Sequence, residues 1–282
     1  MLQGWCETMP QCDQNSVCST ETRALTSEEH IKLQLQNKRL VSEHQAAKLE
    51  LNAKRYWDLF YKRNETKFFK DRHWTVREFE ELSIDGNKSQ APKVMLEVGC
   101  GVGNLIFPLI EEHPEMYFYA CDLSPRAVEF VKSHPSYNEN AVKVFQCDIT
   151  TDEILQEVAF ESVDIVTLIF VLSAIHPNKF HQTLQNVFNV LKPGAVVLLR
   201  DYGLYDMAQL RFKAGHKISE NFYMRQDGTR SYYFSIEVLG NLFVKAGFEV
   251  INNVYIHRRT INKKEDLDVP RIFVQGKFRK PT

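Results

Sequence analysis

Residues 95–104 of the chain, MLEVGCGVGN, place an acid and three alternating glycines directly after a short apolar run. Such a loop lets the backbone and its N–H groups approach a ligand closely. It could hold a dinucleotide or a sulfonium cofactor, or it could be ordinary turn structure. Nicotinamide binding requires the spacing GxGxxG, whereas Gly99, Gly101 and Gly103 give GxGxG and Asn104 stands where the third glycine is required. The spacing therefore argues against a nicotinamide dinucleotide.

Acidic residues recur where the predicted strands end. Glu97 precedes the glycines, Asp122 ends the second predicted strand, and Asp148 ends the third. Asp122 lies about 20 residues beyond the loop, where a carboxylate can accept hydrogen bonds from both ribose hydroxyls. Asp148 lies where an adenine amino group would reach it. These positions favour a nucleoside-containing ligand.

Strands and helices alternate from residue 94 onward and would bring these side chains together. The predicted strands are VMLEV, MYFYACD, KVFQCD, VDIVTLIF and AVVLLRDY, and the predicted helices are NLIFPLIEEH, SPRAVEFVKSH and HQTLQNVFNVLK. This alternation indicates parallel βαβ crossovers in a doubly wound, mostly parallel α/β sheet, which binds ligands at the carboxyl ends of its strands. LFVKAGFEVINNVYI and PRIFVQGKF then predict a helix and two strands that pair antiparallel.

Two further segments lie outside this alternation. Residues 25–64 predict one long helix that begins with a capping box from Thr26 to Glu29. The segment 201–235 is inserted after the fifth strand, and its Asp227-Gly228 pair predicts a hairpin. We therefore divide the chain into a disordered leader (1–24), an N-terminal helical extension (25–90) and an α/β domain (91–282) that contains the insertion.

The composition excludes several protein classes. The 282 residues, 44% of them hydrophobic, can form one large core with additions. No stretch approaches the about 20 apolar residues that span a bilayer, and the first residues resemble no targeting signal. We therefore expect a cytosolic or nuclear protein with reduced thiols. Cys6, Cys12 and Cys18 lack the CxxC pairs of a zinc site, so we expect no metal.

The near-neutral total charge conceals a strong asymmetry along the chain. Residues 97–164 contain thirteen acids and three basic residues, a net charge of −10. Residues 54–77 and 257–282 each contain eight basic residues and three acids, a net charge of +5. A chain of this kind can bind a polyanion if its basic parts converge in space.

Together these motifs carry a family resemblance. EVGCGVGN, ACDLSP, QCDI, VDIVTLIF and LKPG resemble the class I S-adenosylmethionine-dependent methyltransferases, which have a Rossmann-like fold. The segments KRYWDLFYKRNETKFFKDRHWTVREF, FVLSAIHP, LRDYGLYD and NFYMRQDGTRSYYF resemble the tRNA 3-methylcytidine methyltransferases, and among them the cytosolic branch that acts on serine tRNAs. This resemblance covers the chain from about residue 25 to the end.

The resemblance implies S-adenosyl-L-methionine as cofactor, methylation of cytidine at position 32 of the anticodon loop, and seryl-tRNA synthetase as a partner. It also implies that the extension caps the cofactor and contacts RNA. The implied cofactor-binding positions are Trp57, Tyr61, Gly99, Gly101, Asp122, Asp148, Ile149 and Ile169.

The chemistry of this reaction suggests one catalytic residue. Cytosine N3 has a free lone pair at pH 7, so catalysis mainly requires positioning, and the absence of a [DN]PPY motif fits this requirement. The product is a cation, and a carboxylate near the ring would stabilise the developing charge. We predict that Asp201, at the end of the fifth strand, has this role; the alternative is that it pairs with Arg200 or caps the following turn.

Basic residues interleaved with aromatic residues predict the RNA contacts, because phosphates and stacked bases require both. The predicted positions are Lys67, Lys70, Arg72, Arg225, Arg230, Arg258 and Arg259.

Other interpretations stay open at this point. Trp57 and Tyr61 could be core packing, Cys100, Cys121 and Cys147 are expected to be buried thiols, and His176 is expected to shape a helix start. Three other activities remain as alternatives: methylation of a small molecule or protein side chain, catalytically inactive RNA binding, and nicotinamide-dependent oxidoreduction.

Overall fold

The computed structural model describes residues 17–68, 70–82, 93–151, 153–262 and 267–282. The α-helices in these ranges are α1 (Ser27–Gln36), α2 (Glu43–Leu51), α3 (Ala53–Asn64), α4 (Thr75–Glu78), α5 (Ile106–Glu112), α6 (Pro125–Lys132), α7 (Ile154–Glu157), α8 (Phe180–Val190), α9 (Met207–Leu210) and α10 (Ile236–Lys245). Short 3₁₀ helices span Glu80–Leu82, Leu172–Ala174 and Pro177–Lys179. None of the helices in the described ranges is both long and apolar enough to cross a membrane.

The strands form one large and one small sheet. They are β1 (Val17–Ser19), β2 (Val94–Val98), β3 (Tyr117–Asp122), β4 (Val142–Gln146), β5 (Val163–Ile169), β6 (Leu191–Tyr202), β7 (Lys217–Ser219), β8 (Phe222–Met224), β9 (Arg230–Tyr232), β10 (Glu249–Asn262) and β11 (Leu267–Arg279). Within the described residues the large sheet has the order β1-β10-β11-β6-β5-β2-β3-β4. Strands β2 to β6 are parallel, and β11 runs antiparallel to both β6 and β10. The predicted doubly wound α/β sheet with an antiparallel last strand is confirmed.

The central strands are apolar throughout because both faces of the sheet are covered. Successive side chains of a strand point to opposite faces. Met95 and Ile165 therefore pack into one buried cluster, and their neighbours Leu96 and Val166 pack into another. Burial on both sides leaves the carboxyl ends of the strands as the accessible edge of the sheet.

Residues 25–64 form three helices, α1 to α3, where the sequence predicts one. The capping box is confirmed, since Thr26 and Glu29 each accept a backbone N–H of the other. The helix nevertheless ends at Gln36, and the following loop bonds to the insertion: Arg39 C=O accepts the Gly215 N–H, and the Val41 N–H donates to the carbonyl of residue 217. Pairing with a distant segment thus overrides local helix propensity, which is a weak determinant by comparison.

Part of the predicted disordered leader is ordered. Val17–Ser19 form β1, which pairs antiparallel with β10 over Tyr255–His257. A strand added at the edge satisfies backbone groups that β10 would otherwise leave unpaired. The prediction is therefore wrong for these residues, and residues 1–16 lie outside the described part of the chain.

The insertion folds into the small sheet of β7, β8 and β9 and packs against the extension. Asp227 and Gly228 lie in the loop between the antiparallel strands β8 and β9, so the predicted hairpin is confirmed. Gly228 has a φ of +85°, and a Cβ added there would lie 2.4 Å from the Tyr56 ring. The hairpin loop therefore rests directly on the third helix of the extension.

Candidate functional site

A cavity of about 490 Å³ lies at the carboxyl ends of β2, β3 and β4, where the sheet topology predicts a ligand. Six of the eight predicted cofactor-binding residues line it: Trp57, Tyr61, Gly99, Asp122, Asp148 and Ile149. Gly101 and Ile169 lie just behind its wall. Gly101 packs beneath Tyr61, and the residue after Ile169, Phe170, supplies the lining.

The glycine loop is shaped by close packing. Gly99 and Gly101 have φ values of +66° and +56°, which side-chain-bearing residues rarely adopt. A Cβ added at Gly99 would lie 2.5 Å from Val171 Cγ2, and one added at Gly101 would lie 2.9 Å from Tyr61 Oη. Both glycines are therefore required by backbone conformation and by available space.

Asp122 ties the end of β3 to the glycine loop. Its Oδ2 accepts the Gly101 N–H at 2.9 Å, and its Oδ1 accepts the Ser124 N–H at 2.8 Å. Burial raises the pKa of Asp122 to about 6, although these backbone donors favour the carboxylate. Because each carboxylate oxygen can accept a second hydrogen bond, Asp122 can serve the loop and a ligand hydroxyl together. Its contact with ribose stays a prediction.

Asp148 is organised in a similar way at the end of the next strand. Its Oδ1 accepts hydrogen bonds from the Thr150 N–H at 2.9 Å and from the Thr150 hydroxyl at 2.7 Å. The side chain is half-buried and lines the cavity. Asp148 therefore presents a fixed acceptor to the site, and its contact with adenine stays a prediction.

Helix α3 of the extension closes one side of the cavity. Its Trp57 and Tyr61 line the cavity with ring centroids 6.3 Å apart and also pack with Phe60 in a buried cluster, so their contact with the cofactor stays a prediction. Asp58, on the same helix, accepts hydrogen bonds from the Ser124 hydroxyl at 3.0 Å and from the Arg126 N–H at 3.2 Å. This anchor holds the aromatic wall against the start of α6.

Glu97 and Arg72 are buried near each other behind the glycine loop. Burial raises the pKa of Glu97 to about 8 even though Arg72 opposes this shift, and Glu97 Oε2 has no hydrogen-bond partner in the described part of the chain. Arg72 donates from Nη1 to the Ile169 carbonyl at 3.2 Å. Arg72 is buried against the α/β domain, so its predicted contact with RNA is wrong.

Two more of the predicted RNA contacts are held by ion pairs within the fold. Arg230 is 5% exposed, pairs with Glu50 and lines the cavity, and Arg258 is half-buried and pairs with Glu78 beside the Trp74 ring. Their contacts with RNA stay predictions.

The remaining predicted RNA contacts are more accessible. Lys67 and Arg259 are exposed and paired with surface carboxylates, and Lys70 is also exposed. Arg225 is half-buried, with its guanidinium 5.2 Å from the centre of the Tyr202 ring. Their contacts with RNA stay predictions.

Asp201 does not face the cavity. It is 0% exposed, and its carboxylate oxygens accept the Ser173 N–H at 2.8 Å and the Tyr202 N–H at 2.9 Å. Burial raises its pKa to about 6. The predicted contact with a substrate cytosine is contradicted by this geometry, which instead makes Asp201 the support of the 172–174 turn beside Val171 and Ala174 of the cavity wall.

Three cysteines and one histidine have the structural roles predicted for them. Cys100, Cys121 and Cys147 are buried thiols, as predicted. His176 accepts the Asn178 N–H at the start of the 3₁₀ helix Pro177–Lys179, which confirms its structural role. The described ranges contain no cluster of three or more side chains suited to a metal ion. Cys6 and Cys12 lie outside those ranges.

The sequence did not predict that Glu50, Lys179, Phe170 and Val171 line the cavity, or that Arg230, predicted as an RNA contact, lines it with them. Phe170 has a φ of +61° although it is not glycine, a strained conformation of the kind that concentrates at functional sites. No sequence signal connects residues 50, 179 and 230, because only the fold brings them together.

Comparison with known proteins identifies the relatives of this chain. A protein-family model described as "Methyltransferase domain" matches residues 96–197. The chain is 58% identical over 261 residues to tRNA N(3)-cytidine methyltransferase METTL6 of Homo sapiens, covering 93% of this chain and 92% of that protein. It is 37% identical over 298 residues to tRNA N(3)-cytidine methyltransferase METTL2 of Danio rerio, covering 94% of this chain and 84% of that protein.

Solved structures show the same fold. The crystal structure of an S-adenosylmethionine-dependent methyltransferase from Anabaena variabilis superposes with a TM-score of 0.59 at 14% identity, covering 81% of this chain and 95% of that chain.

Proposed function

We propose that this chain, which belongs to the family of tRNA N(3)-cytidine methyltransferases, methylates N3 of cytidine 32 in the anticodon loop of serine tRNAs. The family membership carries the reaction, the tRNA substrate and the cofactor S-adenosyl-L-methionine. The choice of serine tRNAs, the position in the loop, the synthetase partner and a cytoplasmic or nuclear location are the proposed parts.

The cavity fits this cofactor. Its volume of about 490 Å³ lies within the usual range of small-molecule sites. Close packing at Gly99 and Gly101 leaves no room for a side chain at either position, while Asp122 and Asp148 provide acceptors for ribose hydroxyls and for the adenine amino group. Trp57 supplies a flat apolar wall. When bound, the cofactor supplies an electrophilic methyl group on a sulfonium centre.

The chain's own task is to position the acceptor base, because cytosine N3 needs no general base. Phe170 lines the cavity next to Val171, and its ring lies 5.1 Å from that of Tyr202 and 5.5 Å from that of Phe273. Tyr202 and Phe273 are buried and support the half-buried Phe170 ring, which lines the cavity and suits stacking of an unpaired base. A base in an RNA loop reaches such a site at low unstacking cost. Holding the base in line with the methyl group would supply most of the catalysis.

The serine branch and the synthetase partner are supported by the resemblance of KRYWDLFYKRN, FVLSAIHP and NFYMRQDGTRSYYF. The charge pattern is consistent with help from a partner. Residues 97–164, at the centre of the catalytic domain, carry a net charge of −10, which limits the surface that can hold a whole tRNA. Seryl-tRNA synthetase would select the tRNA body and leave this enzyme to act on the anticodon loop.

Mass spectrometry of tRNA nucleosides provides the test. The protein is incubated with labelled cofactor and serine, threonine or arginine tRNA, each with and without its synthetase. We expect labelled 3-methylcytidine in serine tRNA, its loss when cytidine 32 is replaced by uridine, and stimulation by seryl-tRNA synthetase. Equal labelling of all three tRNAs would refute serine specificity, and full activity without synthetase would refute the dependence on a partner.

A further inference from the structure

Three charged side chains from distant parts of the chain meet at the wall of the cofactor cavity. Glu50 lies near the end of α2, Lys179 lies just before α8, and Arg230 lies in β9 of the insertion. Lys179 Nζ is 2.6 Å from Glu50 Oε1, and Arg230 Nη1 donates to Glu50 Oε2. All three residues line the cavity. Glu50 thus connects the extension to the catalytic domain and to the insertion at once.

The bridge lies in partly buried surroundings, where charges interact more strongly than at the surface. The Arg230 side chain is 5% exposed and the Glu50 side chain is 28% exposed. Burial by itself would raise the pKa of Glu50, but hydrogen bonds from Lys179 and Arg230 hold it below its ordinary value. Glu50 is therefore a carboxylate at neutral pH and accepts both cations.

The position of Glu50 in the extension gives the bridge a consequence for the cofactor. Helix α2 ends at Leu51 and α3 begins at Ala53, so Glu50 stands immediately before the helix that carries Trp57. At this junction Leu51 is 86% exposed, whereas Leu49 is 3% exposed and anchors the end of α2. Further along α3 the helix is held by Asp58, which is bound to Ser124 and Arg126. The Glu50 bridge fastens the other end.

We propose that Glu50 is a positioning residue that holds the extension closed over S-adenosyl-L-methionine through Lys179 and Arg230. Glu50 holds the wall of the cavity in place and takes no part in methyl transfer. Opening the bridge removes one of the contacts that hold the start of α3, beside the hydrogen bond from Lys54 to Gln146, so the cofactor dissociates faster. The rate of methyl transfer from the fully loaded enzyme changes little, because the supports of the acceptor site stay in place.

Glu50→Gln keeps the size of the side chain and removes its charge. Losing hydrogen bonds to charged groups predicts cofactor affinity about 10- to 100-fold weaker, with a matching rise in the dissociation rate and in the cofactor KM. We expect kcat at saturating cofactor and tRNA to stay within about 3-fold of wild type, the pattern for lost binding that is equal in ground and transition states. Affinity is measured by calorimetry and dissociation by stopped-flow tryptophan fluorescence, both without RNA.

Glu157→Gln is the matched control, since it removes another Lys–Glu ion pair, with Lys143 at 2.9 Å, and neither of these two residues lines the cavity. It should leave cofactor affinity unchanged. If Glu50→Gln folds poorly, Lys179→Met tests the same bridge from a side chain that is 43% exposed, and its cofactor affinity should fall about 3- to 10-fold. Wild-type affinity and dissociation rate in the folded bridge variant, or an equal effect in the control, would overturn the proposal. A fall in kcat with an unchanged cofactor KM would overturn it as well.

Discussion

Replacing Gly99 by alanine tests whether the glycine loop is defined by conformation alone or also by contact with the cavity wall. Gly99 has a φ of +66°, and an L-residue in this region costs about 1–2 kcal/mol. The new Cβ would also lie 2.5 Å from Val171 Cγ2. Val171 precedes the turn that Asp201 holds through the Ser173 N–H, so it cannot move freely. Overpacking of this kind adds about 1–3 kcal/mol.

The two costs can be separated with a second glycine. Gly194 has a φ of +79°, but the nearest atom to an added Cβ is Thr282 Cγ2 at 3.4 Å, which is ordinary contact. Gly194→Ala should therefore lower the free energy of unfolding by about 1–2 kcal/mol, and Gly99→Ala by about 2–5 kcal/mol. Val171 lines the cavity, so only Gly99→Ala should also weaken cofactor binding. The affinity falls about 10-fold for each 1.4 kcal/mol of binding free energy that the displaced wall removes.

Chemical denaturation and calorimetric cofactor titration measure these two effects. The double variant Gly99→Ala/Val171→Ala removes the clash and should regain part of the lost affinity. Equal losses of stability in the two single variants, with cofactor affinity unchanged in both, would refute the role assigned to the contact with Val171.

Three other predictions follow from the same geometry. Burial raises the pKa of Glu97 to about 8, so between its ordinary 4.5 and 8 the folded protein holds a proton that the unfolded chain has released. The free energy of unfolding of the cofactor-free protein should fall as pH rises through this window, and Glu97→Gln should flatten the dependence in denaturation at pH 6 and pH 8. Asp201→Asn places an amide group against a buried N–H and should lower the free energy of unfolding by about 1–3 kcal/mol. If the variant instead kept its stability and methylated more slowly in single-turnover kinetics, Asp201 would regain the predicted catalytic role. Replacing Lys67 and Lys70 together by glutamate should reduce the slope of log affinity against log salt for tRNA by up to about 1.4, and an unchanged slope would remove both lysines from the RNA surface.

The regular part of the fold was predictable because its signals are local. VMLEV is β2 from its first residue to its last, and Asp227-Gly228 lies in the predicted hairpin loop. Parallel strands joined by helices bring their carboxyl ends to one edge, so the alternation alone placed Asp122 and Asp148 at a common site. The other two predicted cofactor positions, Gly101 and Ile169, do not line the cavity, because side-chain packing decides which residues near the sheet edge face it.

The tertiary structure determined which charged side chains are buried and which are exposed. Lys67 and Arg72 lie five residues apart in one basic aromatic stretch, yet Lys67 is exposed and Arg72 is buried beside Glu97. The cost of burying a charge depends on the partners that the fold supplies, and these come from distant parts of the chain. Glu50 and Arg230 are separated by 180 positions and still share a hydrogen bond. The sequence by itself therefore determined the alternation of strands and helices and brought Asp122 and Asp148 to one edge of the sheet, whereas only the folded chain determined which charged side chains are exposed and which hold the site together.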